Sequence, residues 1–136
     1  MKTQLAIPAL FVAVMTVVPL LAHHGVSRTF DAGKVTTLQG VITKVVWGNP
    51  HVSISMEVKN ANGAITNWTI EMAAPNSLYR DGMRLESFEL NKLCSIEIWP
   101  ALDGSPQANG RKLTFADGRS FDIHDKWTEI TVRPAK

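Results

Sequence analysis

The chain has 136 residues, enough for one domain and short for two, and its formal charge of +2 comes from 14 basic and 12 acidic residues. Apart from the Arg111-Lys112 pair the basic residues are scattered, which excludes the concentrated patch that a phosphate-backbone binder needs, so nucleic acid is not an expected partner. One cysteine excludes a disulfide framework within the chain.

Residues 1–22 read as an export signal. Met1-Lys2 is a short positive start, residues 5–21 are almost wholly apolar, and Ala22 is the small residue that a signal peptidase requires. Pro8, Thr16 and Pro19 interrupt the apolar run and no stop-transfer cluster follows, so cleavage is expected and a stable membrane span is not. The expected product starts at His23, has 136 − 22 = 114 residues and is periplasmic or secreted. A domain of that size buries roughly two-thirds of its unfolded surface, enough for a core without staples.

Residues 23–34 are polar, with Val26 and Phe30 as the large apolar exceptions, and read as an extended arm pinned by Phe30. Residues 35–136 read as a single β domain. Residues 35–47 are rich in β-branched side chains, and Gly40 within them points to a bulge or bend. From 51 to 59 the pattern alternates: Val52, Ile54, Met56 and Val58 share one face, while His51, Ser53, Ser55 and Glu57 share the other. Residues 65–72 repeat it, with Trp68, Ile70 and Met72 on the apolar side. A three-residue loop, Ala61-Asn62-Gly63 with Gly63 left-handed, pairs Val52 with Met72, Ile54 with Ile70 and Met56 with Trp68. A four-residue loop mixes the two faces, so the shorter one is expected. In that register Ser53 faces Glu71, and His51 is a diagonal neighbour of Glu71, about 7 Å away between α-carbons.

Pro75, Asn76 and Ser77 open a short helix that Gly82 stops. Leu85, Phe88 and Leu90 tuck down the connector that follows. Residues 93–102 form a further strand, in which Cys94 alternates with Ile96 and Ile98 and is expected as a buried, inert thiol. Asp103-Gly104-Ser105-Pro106 is a turn, Asp117-Gly118 joins strands at 113–115 and 121–123, and residues 130–132 form a closing strand. The fold class is all-β with one short helix. A long bent first strand, a hairpin and a helix before the fourth strand favour an OB-like antiparallel barrel of five to six strands, with an antiparallel sandwich as the alternative.

An N-terminal histidine offers two nitrogen ligands, the free α-amine and the ring. A third nitrogen completes a T-shaped set suited to the tetragonal preference of Cu(II). His23 with His51 forms such a brace; alternatively His24, in second position, binds through amine, backbone amide and ring. The amine has an ordinary pKa of about 8, so a metal displaces its proton readily. Glu71 can orient the His51 ring. Against these stand solvated terminal histidines and a His51 that only hydrogen-bonds its turn, beside an Asn49 that caps the backbone. His124-Asp125 is a weaker pair. Trp47, Trp68, Trp99 and Trp127 raise a stacking platform for sugars or bases; Trp68 has core parity, whereas burial and partial exposure both stay open for Trp47 and Trp99. No G-x-S-x-G, Walker, C-x-x-C or H-E-x-x-H pattern occurs.

His23-His24, Phe30-Asp31, Trp47-x-Asn49-Pro50-His51, Asn67-Trp68 with Glu71, Pro75-Asn76-x-Leu78-x-Arg80 and Pro100-Ala101-x-Asp103-Gly104 together resemble a family of small exported bacterial proteins, a domain of unknown function whose mature end begins His-His. The resemblance runs to about residue 122 and implies a periplasmic β protein without an established activity. Three readings follow. One is a module for Cu(II) or another divalent ion held by His23, His24 and His51, with Glu71 behind them. The second is a recognition domain for a glycan, peptide or protein partner, contacted by Trp47, Asn49, Asn76 and Arg80, with Trp99. The third, an oxidase built on a copper brace, has no specific residue behind it, and an enzyme is not the expected class.

Overall fold

The computed structural model describes residues 29–126. Six strands follow in the order β1 (Thr36–Val46), β2 (Ser53–Lys59), β3 (Ile65–Glu71), β4 (Leu93–Pro100), β5 (Gln107–Phe115) and β6 (Ser120–Asp122), with one helix, α1 (Pro75–Arg80), between β3 and β4. The sheet order is β3-β2-β1-β4-β5-β6, and β3 also pairs with β5, so five strands close into an OB-like barrel and β6 is added to it. The expected strand at 130–132 lies outside the described residues.

β1 makes the barrel possible by using both edges. Its first half, Thr36 to Val41, pairs with β4, and Val41 to Val46 pairs with β2. A register shift between Ile42 and Lys44 twists the strand between these two tasks. The irregularity expected at Gly40 therefore lies three residues further on, at Thr43, and Gly40 has a different role. It points into the barrel between Leu38 and Ile42, where an added Cβ would collide with the Glu57 carbonyl.

The hairpin β2–β3 has the expected register: Ser53 opposite Glu71, Ile54 opposite Ile70, Met56 opposite Trp68. Asn60 N–H donates to the Ala64 carbonyl at 2.8 Å, and Gly63 takes φ +86°. β1, β3 and β5 all run the same way, so the closing pair, Thr69 to Glu71 against Gln107 to Asn109, is parallel, whereas every other strand pair is antiparallel. The first half of β5 was not expected as strand. It reads Gln107-Ala-Asn-Gly-Arg-Lys, without large apolar side chains, because its inward positions are Ala108 and Gly110.

Ile42, Ile54, Met56, Ile70, Ile96, Ile98 and Leu113 fill the interior. Leu78 of α1 and Met83 just after it are fully buried beside them. The helix starts on Pro75 and ends in a Schellman arrangement: Gly82, at φ +85°, donates to Tyr79 and Met83 donates to Leu78. Phe88 packs edge-on against Trp47 and Phe115, so the connector is tucked down as expected, although Leu85 and Leu90 stay exposed. Ile123 joins the two strands that close the barrel. Its carbonyl accepts from Ala73 N–H at 2.7 Å, and its own N–H donates to Arg111 at 2.9 Å.

The arm is pinned where its sequence implied. Phe30 is buried and bridges Ala101, Asp31 N–H donates to Pro100, and Leu102 N–H donates to Thr29.

Gly40→Ala forces β1 away from β2 and is expected to cost about 2 kcal/mol or more in urea unfolding. Gly48→Ala, where an added Cβ meets nothing within 4 Å and φ is not positive, serves as the contrast. It is expected to be neutral or stabilising by less than about 1 kcal/mol.

Candidate functional site

The residues around the mouth of β2 are set by one cross-strand row. Val46 on β1 pairs with Ser53 on β2, Ser53 with Glu71 on β3, Glu71 with Asn109 on β5, and Asn109 with Trp99 on β4. Their neighbours Ile54, Ile70, Ala108 and Ile98 fill the core, so the row faces outward. Exposure is greater at its β1–β3 end than at its β5–β4 end. Val46 and Glu71 are exposed, Ser53 is half-buried, and Asn109 and Trp99 are buried.

His51 is exposed, two residues before β2, after a cis Asn49–Pro50 bond. The observed Ser53–Glu71 pair puts exposed Glu71 opposite the residue two positions after His51, diagonal to it by position in the chain. Val52 N–H donates to Ala73, two residues before α1, so Asn76 starts its helix at this same end of the barrel. Asn49 is exposed. Trp47 is half-buried, its ring 6.3 Å from that of Phe88.

Arg80, at the other end of α1, donates to Ser77 Oγ at 3.2 Å. It borders a separate cleft of about 90 Å³, lined by Ser77, Arg80, Asp81, His124, Asp125 and Lys126. Lys126 Nζ lies 2.7 Å from the Asp81 carboxylate across it. The structure brings no contact between Arg80 and His51. His124, from the weaker sequence pair, is an interior residue. Its ring is edge-on to Trp99 at 6.2 Å and its Nδ1 is 3.2 Å from the Arg111 carbonyl, while the Arg111 guanidinium lies over Trp99 at 5.0 Å. This satellite of Trp99, Arg111 and His124 on the outer face was missed in the sequence, because its members are twelve or more residues apart and pair only once β4, β5 and the chain after β6 are assembled.

The stacking platform fails among the described residues. Trp99 is buried beneath Arg111, Trp68 is half-buried against the core and Trp47 lies against Phe88. Trp127 lies outside the described residues, as do His23 and His24. Within the described residues no three of His, Cys, Asp and Glu come together at metal-binding spacing. No helix among the described residues is long and apolar enough to cross a membrane.

Asn109 was also missed. It lies in an Ala-Asn-Gly stretch that resembles a turn, yet it is buried, and among the described residues its Oδ1 has no hydrogen-bond partner. Such a buried acceptor costs about 1–3 kcal/mol. Elsewhere, bonds from Arg119 to Asp117 hold that exposed carboxyl below its usual range and fix the Asp117-Gly118 hairpin.

Cys94 is buried, as expected. Its thiol donates to the Gly40 carbonyl at 3.6 Å, and burial pushes its pKa up to about 11, against a smaller opposing effect from the Ile42 backbone. The neutral thiol is thereby favoured and is no nucleophile at neutral pH.

What these features define is a small OB-like barrel whose polar end residues lie on an outward row. The chain belongs to the family of unknown function DUF6152, which matches residues 11–111. No curated protein and no solved structure matches it.

A thiol held near pKa 11 is almost wholly protonated at pH 8. Labelling of native Cys94 by a disulfide reagent at that pH is expected to run about 100-fold or more slower than in the urea-unfolded chain. Equal rates would show that the thiol is open to solvent.

Proposed function

We propose that the protein is exported, loses residues 1–22, and then serves as a periplasmic or secreted module that binds a divalent metal, with Cu(II) the best chemical match. His23 supplies amine and ring, His24 a further ring, and His51 the nitrogen from the barrel. Glu71 orients the His51 imidazole by accepting from its second ring nitrogen. Cu(II) favours this set because it prefers nitrogen donors in a tetragonal arrangement.

The observation that supports the reading most is the β2–β3 register, which brings exposed Glu71 opposite Ser53, two residues from exposed His51. Chain length is compatible with it. From Thr29, pairing leads through Leu102 and Ala101 to Gln107, Thr69 and Ser55. That is four strand spacings, about 19 Å along the curved wall, and His51 is four residues, about 13 Å, further along β2. Six residues from Thr29 back to His23 span about 20 Å when extended. At right angles these steps make about 23 Å, so the drawn-out arm falls just short of the His51 backbone and the two imidazole side chains bridge the remainder.

In titration calorimetry, chain beginning at His23 is expected to bind Cu(II) more tightly than chain with one extra residue before His23, by about 100-fold. Deleting Val26 and Ser27 is expected to reduce affinity to that of the His51→Ala variant, since a shortened arm cannot reach. Glu71→Gln is expected to cost about 10-fold. Equal, weak binding by all five forms would remove the metal reading. Capture of a glycan, peptide or protein partner that survives both chelation and His51→Ala would favour the recognition role resting on Trp47, Asn49, Asn76 and Arg80.

A further inference from the structure

The side of the barrel around the middle of β1 carries an apolar groove. Val41 pairs with Glu57 on one edge and with Leu93 on the other, so the three form one outward row, and Lys59 pairs with Ile65 one step further down the hairpin. The groove holds about 210 Å³ between Gln39, Val41, Glu57, Lys59, Ile65 and Leu93. Across Gln39 and Leu93 it continues into a second depression of about 150 Å³ toward Thr114 and Phe115. Leu93 is 62% and Ile65 60% exposed, the two highest values among the large apolar residues described. Exposed apolar groups gathered around one groove mark an interaction surface.

We propose that this groove is the contact face of a symmetric homodimer. The charges decide for a second copy of the chain over another partner. Glu57 and Lys59 lie two residues apart on one face of β2, at about 7 Å, one acid and one base, and among the described residues neither takes part in an ion pair. A twofold axis between them sets Glu57 of one subunit against Lys59 of the partner subunit and the reverse, the self-complementary pattern that an isologous interface requires. Leu93 and Ile65 then cover one another across the axis. Seven residues line the groove, against the roughly 20–30 a side of a stable complex, so the dimer forms in the micromolar range or above. His51 lies at the other end of β2 and stays open, so the dimer and the proposed metal site stand or fall separately.

Sedimentation velocity of the intact chain beginning at His23 tests this between about 1 µM and 500 µM. The expected result is a concentration-dependent rise from monomer to dimer, lost in Leu93→Glu. Glu57→Lys and Lys59→Glu should each weaken association by about tenfold, and the double exchange E57K/K59E should restore it. Concentration-dependent amide shifts in the unmodified chain, centred on Val41, Lys59, Ile65 and Leu93, check the same face without any substitution. A monomer throughout the range, shifts centred elsewhere, a dimer indifferent to Leu93→Glu, or a double exchange no better than either single change would overturn the proposal.

Discussion

The barrel depends on a single strand being hydrogen-bonded on both edges while its backbone passes close to a neighbour. β1 gives its first half to β4 and its second half to β2, and beside Val41, where the two tasks overlap, the β2 backbone comes too near Gly40 for any side chain. Glycine there is a steric requirement and not a source of flexibility. The twist itself comes from the register shift beside Thr43. Once β1 is so placed, the remaining geometry follows. β4 must start beside Val41, β5 must return alongside it, and β5 can then reach only β3, from the parallel direction.

Much of this was legible in the residues because side-chain parity is unforgiving. A one-residue slip of β2 against β3 would have put Glu71 inside the barrel, so alternation and Gly63 together sufficed to place Ser53 opposite Glu71. Pro75 and Gly82 similarly bounded the helix. Alternation was silent where the wall is lined by small residues. Ala108 and Gly110 make no apolar pattern, because the space inside them is occupied by Ile123 and Ile70, whose side chains crowd the missing Gly110 Cβ at 2.6 Å and 3.2 Å. A strand whose inner face is filled from across the barrel cannot announce itself locally.

The candidate site divides in the same way. The relation of His51 to Glu71 rests on neighbouring strands and could be derived by counting. The fate of Trp99 could not, since its cover comes from Arg111 and His124, and so a tryptophan at a strand end became part of a second small core instead of a platform. Beside exposed Val46, the outward residues around the start of β2 are polar: Asn49, His51, Ser53 and Glu71.

Ile123 carries a consequence for how the molecule comes into being. The β3–β5 seam is only three residue pairs long, and the peptide that fastens its upper end arrives after β6, twelve residues beyond the last one matched by the family. Until that residue docks, the cylinder lacks a fastening at this end of its wall, so the chain can collapse early but locks only once the segment after β6 has joined.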